Sequence, residues 1–164
     1  MMAPSLEPVF SMREYLHPET ADLGQTSSSA RIIANVVDGF IKFDISDIEA
    51  QVVPPGGDWP LIDLKAECIY IDARARAKTD LGEVYLKYTG VLKFDEATRR
   101  LLDKSSPGPI SSNFAETVWF TKLDIVTTDE RLKWLETDFL VGQGRWHVDE
   151  KGLAAEYRVY KLKN

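Results

Sequence analysis

The chain has 164 residues, 44% hydrophobic and 10% aromatic, which suits one globular domain over 1–164 with a sizeable core. Twenty basic residues against 26 acidic ones give a net charge of −6. No basic run interrupts that mixture, so nucleic acid is excluded as a partner. The single cysteine, Cys68, rules out an internal disulfide framework, and no window approaches the roughly 18 apolar residues of a membrane span. The N-terminal stretch lacks a charged lead and an apolar run of signal-peptide length. A soluble cytoplasmic protein without a membrane partner is the expectation.

Taken in order, Glu7–Leu16 reads as a first strand. The polar stretch 17–30, with Pro18, Gly24 and a serine run, reads as a surface loop or as a lid over a cavity mouth. Arg31–Val37 and Phe40–Ile45 flank Asp38-Gly39, which predicts a tight hairpin turn there. Ile48–Val53 continues the strand pattern into Pro54-Pro55-Gly56-Gly57-Asp58-Trp59-Pro60, a corner in which prolines remove backbone donors and glycines permit unusual dihedrals. Trp59, at the end of the corner, either plugs a barrel rim or touches a ligand.

Glu67–Phe94 then forms the central hairpin, turning at Thr79-Asp80-Leu81-Gly82. Tyr70, Asp72, Arg74 and Arg76 share one parity; Ile69, Ile71, Ala73, Ala75 and Ala77 share the other. Successive strand side chains point to opposite faces, so an apolar face is backed by a polar row. That row either meets solvent or lines the inside of a barrel and handles a ligand. Asp95 can cap a short helix carrying Leu101 and Leu102. After a Ser/Pro/Gly break, Phe114–Val126 is expected as a strand with Trp119, Thr121, Leu123 and Ile125 on one face. Thr127 and Glu130 have capping-box spacing ahead of a short helix bearing Leu132, Trp134 and Leu135. Asp138–Val148 and Leu153–Leu162 pair across the turn at 149–152, with Leu153, Ala155, Tyr157 and Val159 on one face. The sum is a mainly all-β fold: an antiparallel β-barrel of about nine strands with two short helices, lipocalin-like in outline.

Two histidines, His17 and His147, and one cysteine cannot assemble the usual zinc set. Neither a G-x-G-x-x-G nor a phosphate-cradling loop is present, and no nucleophile elbow supports a hydrolase triad. No metal and no nucleotide cofactor is expected. Chemistry is left to carboxylate, phenol, guanidinium and shape. Asp72 and Arg74 can reach one ligand or pair with each other. A carboxylate in such a place is raised by desolvation, lowered by the guanidinium, and usable as a general acid or base. Tyr70, Tyr85 and Tyr88 are either core and rim residues or donors to a carbonyl. Trp59, Trp119, Trp134 and Trp146 are core or rim, or flat walls for an apolar ligand. Gly142-Gln143-Gly144-Arg145 marks a bulge or a close backbone approach. His147 reads as a surface strand residue and Cys68 as a buried small hydrophobe.

Pro-Gly-Gly-Asp-Trp (55–59), Asp-Ala-Arg (72–74), Thr-Asp-x-Gly (79–82), Tyr85, Gly90, Trp-Leu (134–135) and Val-Gly-x-Gly-Arg (141–145) together resemble the family called domain of unknown function 3237. The resemblance spans nearly the whole chain. It implies a compact antiparallel β-barrel, commonly oligomeric, with no known cofactor and an activity unassigned for most members. The matched candidates are Asp58, Trp59, Asp72, Arg74, Tyr85 and Arg145. Phe40-Ile41-Lys42-Phe43 and Phe120-Thr121-Lys122-Leu123 depart from the family pattern, as a divergent member with a more apolar pocket would. The expected function is a cofactor-independent cyclase or isomerase, pericyclases of the Diels–Alder kind included, acting on an apolar secondary metabolite in the barrel. Arg74 and Tyr88 would polarise a carbonyl with Asp72 orienting Arg74, while Trp59, Tyr70, Tyr85, Trp119 and Arg145 hold the substrate. The alternatives are a non-catalytic carrier or chaperone for a small apolar molecule, and a module whose polar strand face lies in a homodimer interface.

Overall fold

Alternation of apolar and polar side chains in nearly every segment drives this chain into strands that bury one face. The computed structural model describes residues 3–164. The strands are β1 (Ser5–Leu16), β2 (Ala21–Gln25), β3 (Ser29–Phe43), β4 (Glu49–Val52), β5 (Gly57–Asp58), β6 (Leu61–Asp63), β7 (Cys68–Lys78), β8 (Glu83–Lys93), β9 (Trp119–Thr127), β10 (Leu140–Asp149) and β11 (Gly152–Lys163). Helix α1 (Glu96–Leu102) follows β8, and a 3₁₀ helix (Glu130–Glu136) follows β9.

The sheet closes on itself. Pairing runs β1-β11-β10-β9-β8-β7; β4, β5 and β6 each bridge β7 to β3; and β3 returns to β1. Every pairing is antiparallel. Closure leaves no long open edge, as a barrel requires. Phe10, Met12, Ile41, Leu86, Leu92, Trp119, Leu123 and Leu140 are all buried to below 2% exposure or at it. Each fully buried apolar side chain of this size contributes about 1.5–3 kcal/mol. The interior is therefore filled by the protein's own side chains over most of its length, where the sequence suggested an open hollow.

The ends are closed by the helices. Leu132 and Leu135 of the 3₁₀ helix are buried in the core cluster. From α1, the Thr98 hydroxyl accepts a 2.9 Å hydrogen bond from Trp146 Nε1. Asp95 caps α1 as expected, accepting from Thr98 N at 2.7 Å.

Several boundaries differ from the sequence expectation. Asp38-Gly39 makes no hairpin: β3 runs straight through it. Gly39 faces inward against β1, where an added Cβ would lie 2.1 Å from the Arg13 carbonyl oxygen, and the β1–β3 register shifts nearby at Tyr15/Leu16. The glycine serves a close approach at the closing seam. The polar stretch 17–30 contains β2, paired with β3 on the outside, so it is no simple loop. Strand β9 begins at Trp119 instead of Phe114. The residue capping the 3₁₀ helix is Asp129, whose carboxylate accepts from Arg131 N. Thr127 N is met by Glu136 at 2.8 Å, in place of the expected Thr127–Glu130 box. With β2, β5 and β6 counted, the strands number eleven; two- and three-residue strands are too short for periodicity to register.

Candidate active site in the barrel interior

The side chains that alternate inward at mid-barrel are not all apolar. Glu14 lies on the inward parity of β1 with Phe10 and Met12, and is 1% exposed. Tyr88 projects inward from β8, and Tyr157 from β11 opposite Met12. The Tyr88 hydroxyl donates a hydrogen bond to Glu14 Oε2. The two phenol rings pack edge to face with centroids 5.4 Å apart, and Trp119 stands edge-on to Tyr157 at 5.6 Å. Asp58, from β5, enters on the same face as its partners Ala34 and Ala73. Its Oδ1 accepts from Asp72 N at 2.9 Å.

Burial sets the electrostatics. It pushes the Glu14 carboxyl up to about 7; the Tyr88 hydrogen bond opposes this and the negative charge of Asp58 adds to it. Burial likewise raises Asp58 to about 6 against the pull of the Asp72 backbone amide. Both tyrosines are held well above the ordinary phenol range, burial first and neighbouring acids second. Two carboxyl groups in one dry enclosure thus lose their protons in steps, as interacting acids do. Glu14 Oε1, Trp119 Nε1 and Thr121 Oγ1 are buried there with no hydrogen-bond partner from the protein. Unsatisfied buried polar atoms are uncommon in folded proteins.

Two inward glycines make room for the cluster. A Cβ at Gly144 would sit 2.4 Å from Trp119 Cε2, and one at Gly142 would sit 2.6 Å from Thr121 Oγ1. Strand β10 pairs regularly through both, so of the two options for this motif, close approach is the one realised, by side chains of β9.

The expected site residues divide. Tyr88 and Trp119 are inside, as is Trp146; Cys68 is buried as a small side chain, but on the outward parity of Tyr70 and outside the core cluster. The row Tyr70, Asp72, Arg74 and Arg76 is outside, because its apolar complement Ile69, Ile71, Ala73, Ala75 and Ala77 takes the core. Asp72 and Arg74 form a 3.2 Å ion pair with side chains 47% and 39% exposed. A pair this wet is ordinarily worth 1 kcal/mol or less, a value of about 0–1 kcal/mol being typical. Trp59 is a surface residue beneath Arg74, whose guanidinium carbon is 5.7 Å from the ring centroid, so it plugs no rim. Tyr85 points outward from β8. Arg145 is outside as well, bound to Glu156 at 2.7 Å and stacked on Phe114. The expectation that the polar row lines the barrel is overturned, and with it the pairing of Arg74 with Tyr88. His147 is partly buried, 3.1 Å from Asp149.

Sequence reasoning missed Glu14 and Tyr157 as a polar centre. The available signal was a carboxylate on the parity of Phe10 and Met12; apolar Val9 and Tyr15 on the opposite parity obscured it.

A closed antiparallel barrel with an ionisable, partly unsatisfied centre defines a small β-barrel protein with an acidic cluster in an otherwise apolar interior. The chain belongs to the family described as protein of unknown function (DUF3237), whose model matches residues 4–162. Among solved structures it is similar to a conserved protein of unknown function from Rhodopseudomonas palustris (TM-score 0.80, 20% identity, 99% of this chain and 100% of that one). It is similar too to a beta-barrel-like protein from Acinetobacter baumannii AYE (TM-score 0.72, 23% identity, 99% and 98% covered). A third, an enzyme from Penicillium herquei, aligns with TM-score 0.64 at 13% identity over 97% and 96% of the two chains. No curated protein matches the sequence. Among the described residues no helix is long and apolar enough to cross a membrane.

Proposed function

We propose that the barrel interior is a proton-transfer site for cofactor-independent isomerisation or cyclisation of a small apolar carbonyl compound. The observation that carries this is Glu14: a fully buried carboxyl held up to about 7, bonded through Oε2 to Tyr88 and with Oε1 unpartnered. Tyr88 already donates to Oε2, so the proton of neutral Glu14 belongs on Oε1, the oxygen free to donate to a guest. Glu14, the more deeply buried of the two and held up to about 7 against about 6 for Asp58, is the member that keeps its proton longer as the pair titrates. Environments that hold two carboxyls apart in this way assign acid and base.

In the proposed step, Glu14 donates to the carbonyl oxygen of the guest and Asp58 removes a proton from the adjacent carbon. The resulting enol is reprotonated at another carbon, which isomerises the double bond, or it attacks an electrophilic carbon of the same molecule, which closes a ring. No atom is gained or lost in either outcome. Removing one such donor typically costs about 10²–10³ in rate. Asp58 retains some exposure, and the wall beside it consists of β4, β5 and β6, of four, two and three residues. This section has the shortest ladders, so in the proposed reading a guest enters by local opening there. The likeness to the Penicillium herquei enzyme supports the fold alone.

The test is turnover of β,γ-unsaturated ketones and of ketones carrying a tethered enone in D2O, read by NMR. A product of unchanged skeleton or one new ring, carrying deuterium, is expected. Its rate should be bell-shaped in pH with a maximum between about 6 and about 7, and should fall about 10²-fold or more in Glu14→Gln. Binding without turnover across the panel would show a carrier instead, and full activity in Glu14→Gln would overturn Glu14 as the acid.

A further inference from the structure

We propose that the outer wall of β1, β3 and β11 carries a second site, one for a small aromatic carboxylate. A groove of about 320 Å³ lies there, at the lower end of the roughly 300–1,000 Å³ typical of small-molecule sites. Its lining also includes Met12 and Tyr157, whose side chains are buried on the inward face, so the groove and the Glu14 cluster lie on opposite sides of one wall.

Its chemistry is distinctive in an acidic chain. Arg13, Lys42 and Arg158 line it against one carboxylate, Glu156. That carboxylate is already neutralised, with Arg13 Nη2 at 2.6 Å and Arg145 Nη2 at 2.7 Å. Lys42 reaches only the exposed Glu49, at 3.8 Å. Among the described residues Arg158 enters no ion pair and is exposed on β11; its guanidinium lies over Phe114, 4.4 Å from the centroid. One cation is thus wholly unpaired by acid and another is weakly paired, both facing the same groove.

The groove has an aromatic ring on each side. Phe114 is covered by Arg145 and Arg158, at 4.9 and 4.4 Å. Phe40 has Arg13 at 5.3 Å and Lys42 at 5.2 Å. The guanidinium of Arg158 rests on a ring face with its N–H edge free to take a carboxylate in two parallel hydrogen bonds, whereas those of Arg13 and Arg145 are engaged by Glu156. The cation-covered rings leave their edges toward the groove for a flat apolar body, and Ser11 is part of the lining. An inorganic anion would leave the rings unused, and a neutral aromatic would leave Arg158 unused. The combination selects a molecule with both features.

The test uses 2-naphthoate, the uncharged 2-naphthamide and acetate, titrated by calorimetry and by amide-shift mapping. Naphthoate should saturate, moving the amides of Ser11, Phe40 and Phe114. It should bind about ten-fold or more tightly than the amide or acetate. Arg158→Gln, at an exposed position, should weaken naphthoate about ten-fold without changing the thermal midpoint, and Lys42→Gln should weaken it less. Phe114→Ala should weaken naphthoate and naphthamide together, while Glu14→Gln should leave both unchanged. Absence of saturation, equal affinity for acid and amide, shifts mapping elsewhere, or indifference to Arg158→Gln would each overturn the site.

Discussion

Glu14→Gln probes the interior without changing its shape. Gln keeps an oxygen to accept from Tyr88 and removes only the titration. In the folded protein the carboxyl holds its proton up to about 7, against an ordinary value of 4.5. Between those values the folded chain binds a proton that the unfolded chain has released. Stability therefore falls as pH rises through this window, and the loss is complete above about 7. The offset corresponds to roughly 3 kcal/mol. Asp58, raised from 3.8 to about 6, acts in the same direction at lower pH. Urea unfolding of both proteins from about pH 4 to about pH 8 reads the difference directly, provided the m-value is shared. The variant should gain on the wild type as pH rises, by up to about 3 kcal/mol at the alkaline end. Parallel stability curves would refute the buried, proton-holding carboxyl.

Gly144→Ala places a methyl 2.4 Å from Trp119 Cε2, and overpacking of this kind should cost about 1–3 kcal/mol in urea unfolding. An unchanged midpoint would mean that Trp119 does not lie on β10. Asp72→Asn breaks a half-exposed pair, so stability should change by less than about 1 kcal/mol. Turnover of the ketone panel should persist in this variant; a collapse of activity would return the chemistry to the outer row. Gly39→Ala meets the Arg13 carbonyl at 2.1 Å with φ at +152°, and should destabilise by at least about 1–3 kcal/mol on backbone strain alone.

Much of the barrel was legible because its strands alternate cleanly. β7 through β11 follow the period of two, and the turns at 79–82 and 149–152 carry the residues their geometry needs. Asp38-Gly39 misled because one dipeptide serves both a hairpin turn and a close approach between strands, and local sequence does not say which. Parity separated Asp72 and Arg74 from Ile71 and Ala73 correctly, yet it does not say which side is the inside. Burial of the aliphatic face decided that, and it moved the charged row to solvent. The candidate site needed closure of the sheet: Glu14, Asp58, Tyr88 and Tyr157 sit on four strands and meet only when β1 pairs with both β11 and β3. Asp58 could be singled out from its motif and Tyr88 as a phenol on the central hairpin, but their common partner Glu14 could not.

The most direct measurement is a carbon-13 NMR titration of the Glu14 side-chain carboxyl, assigned by its loss in Glu14→Gln. The buried, Tyr88-bonded acid should titrate near pH 7, with a lower midpoint in Asp58→Asn because a neighbouring charge has gone. A midpoint at the ordinary 4.5, unmoved by Asp58→Asn, would contradict a proton-transfer centre in the barrel.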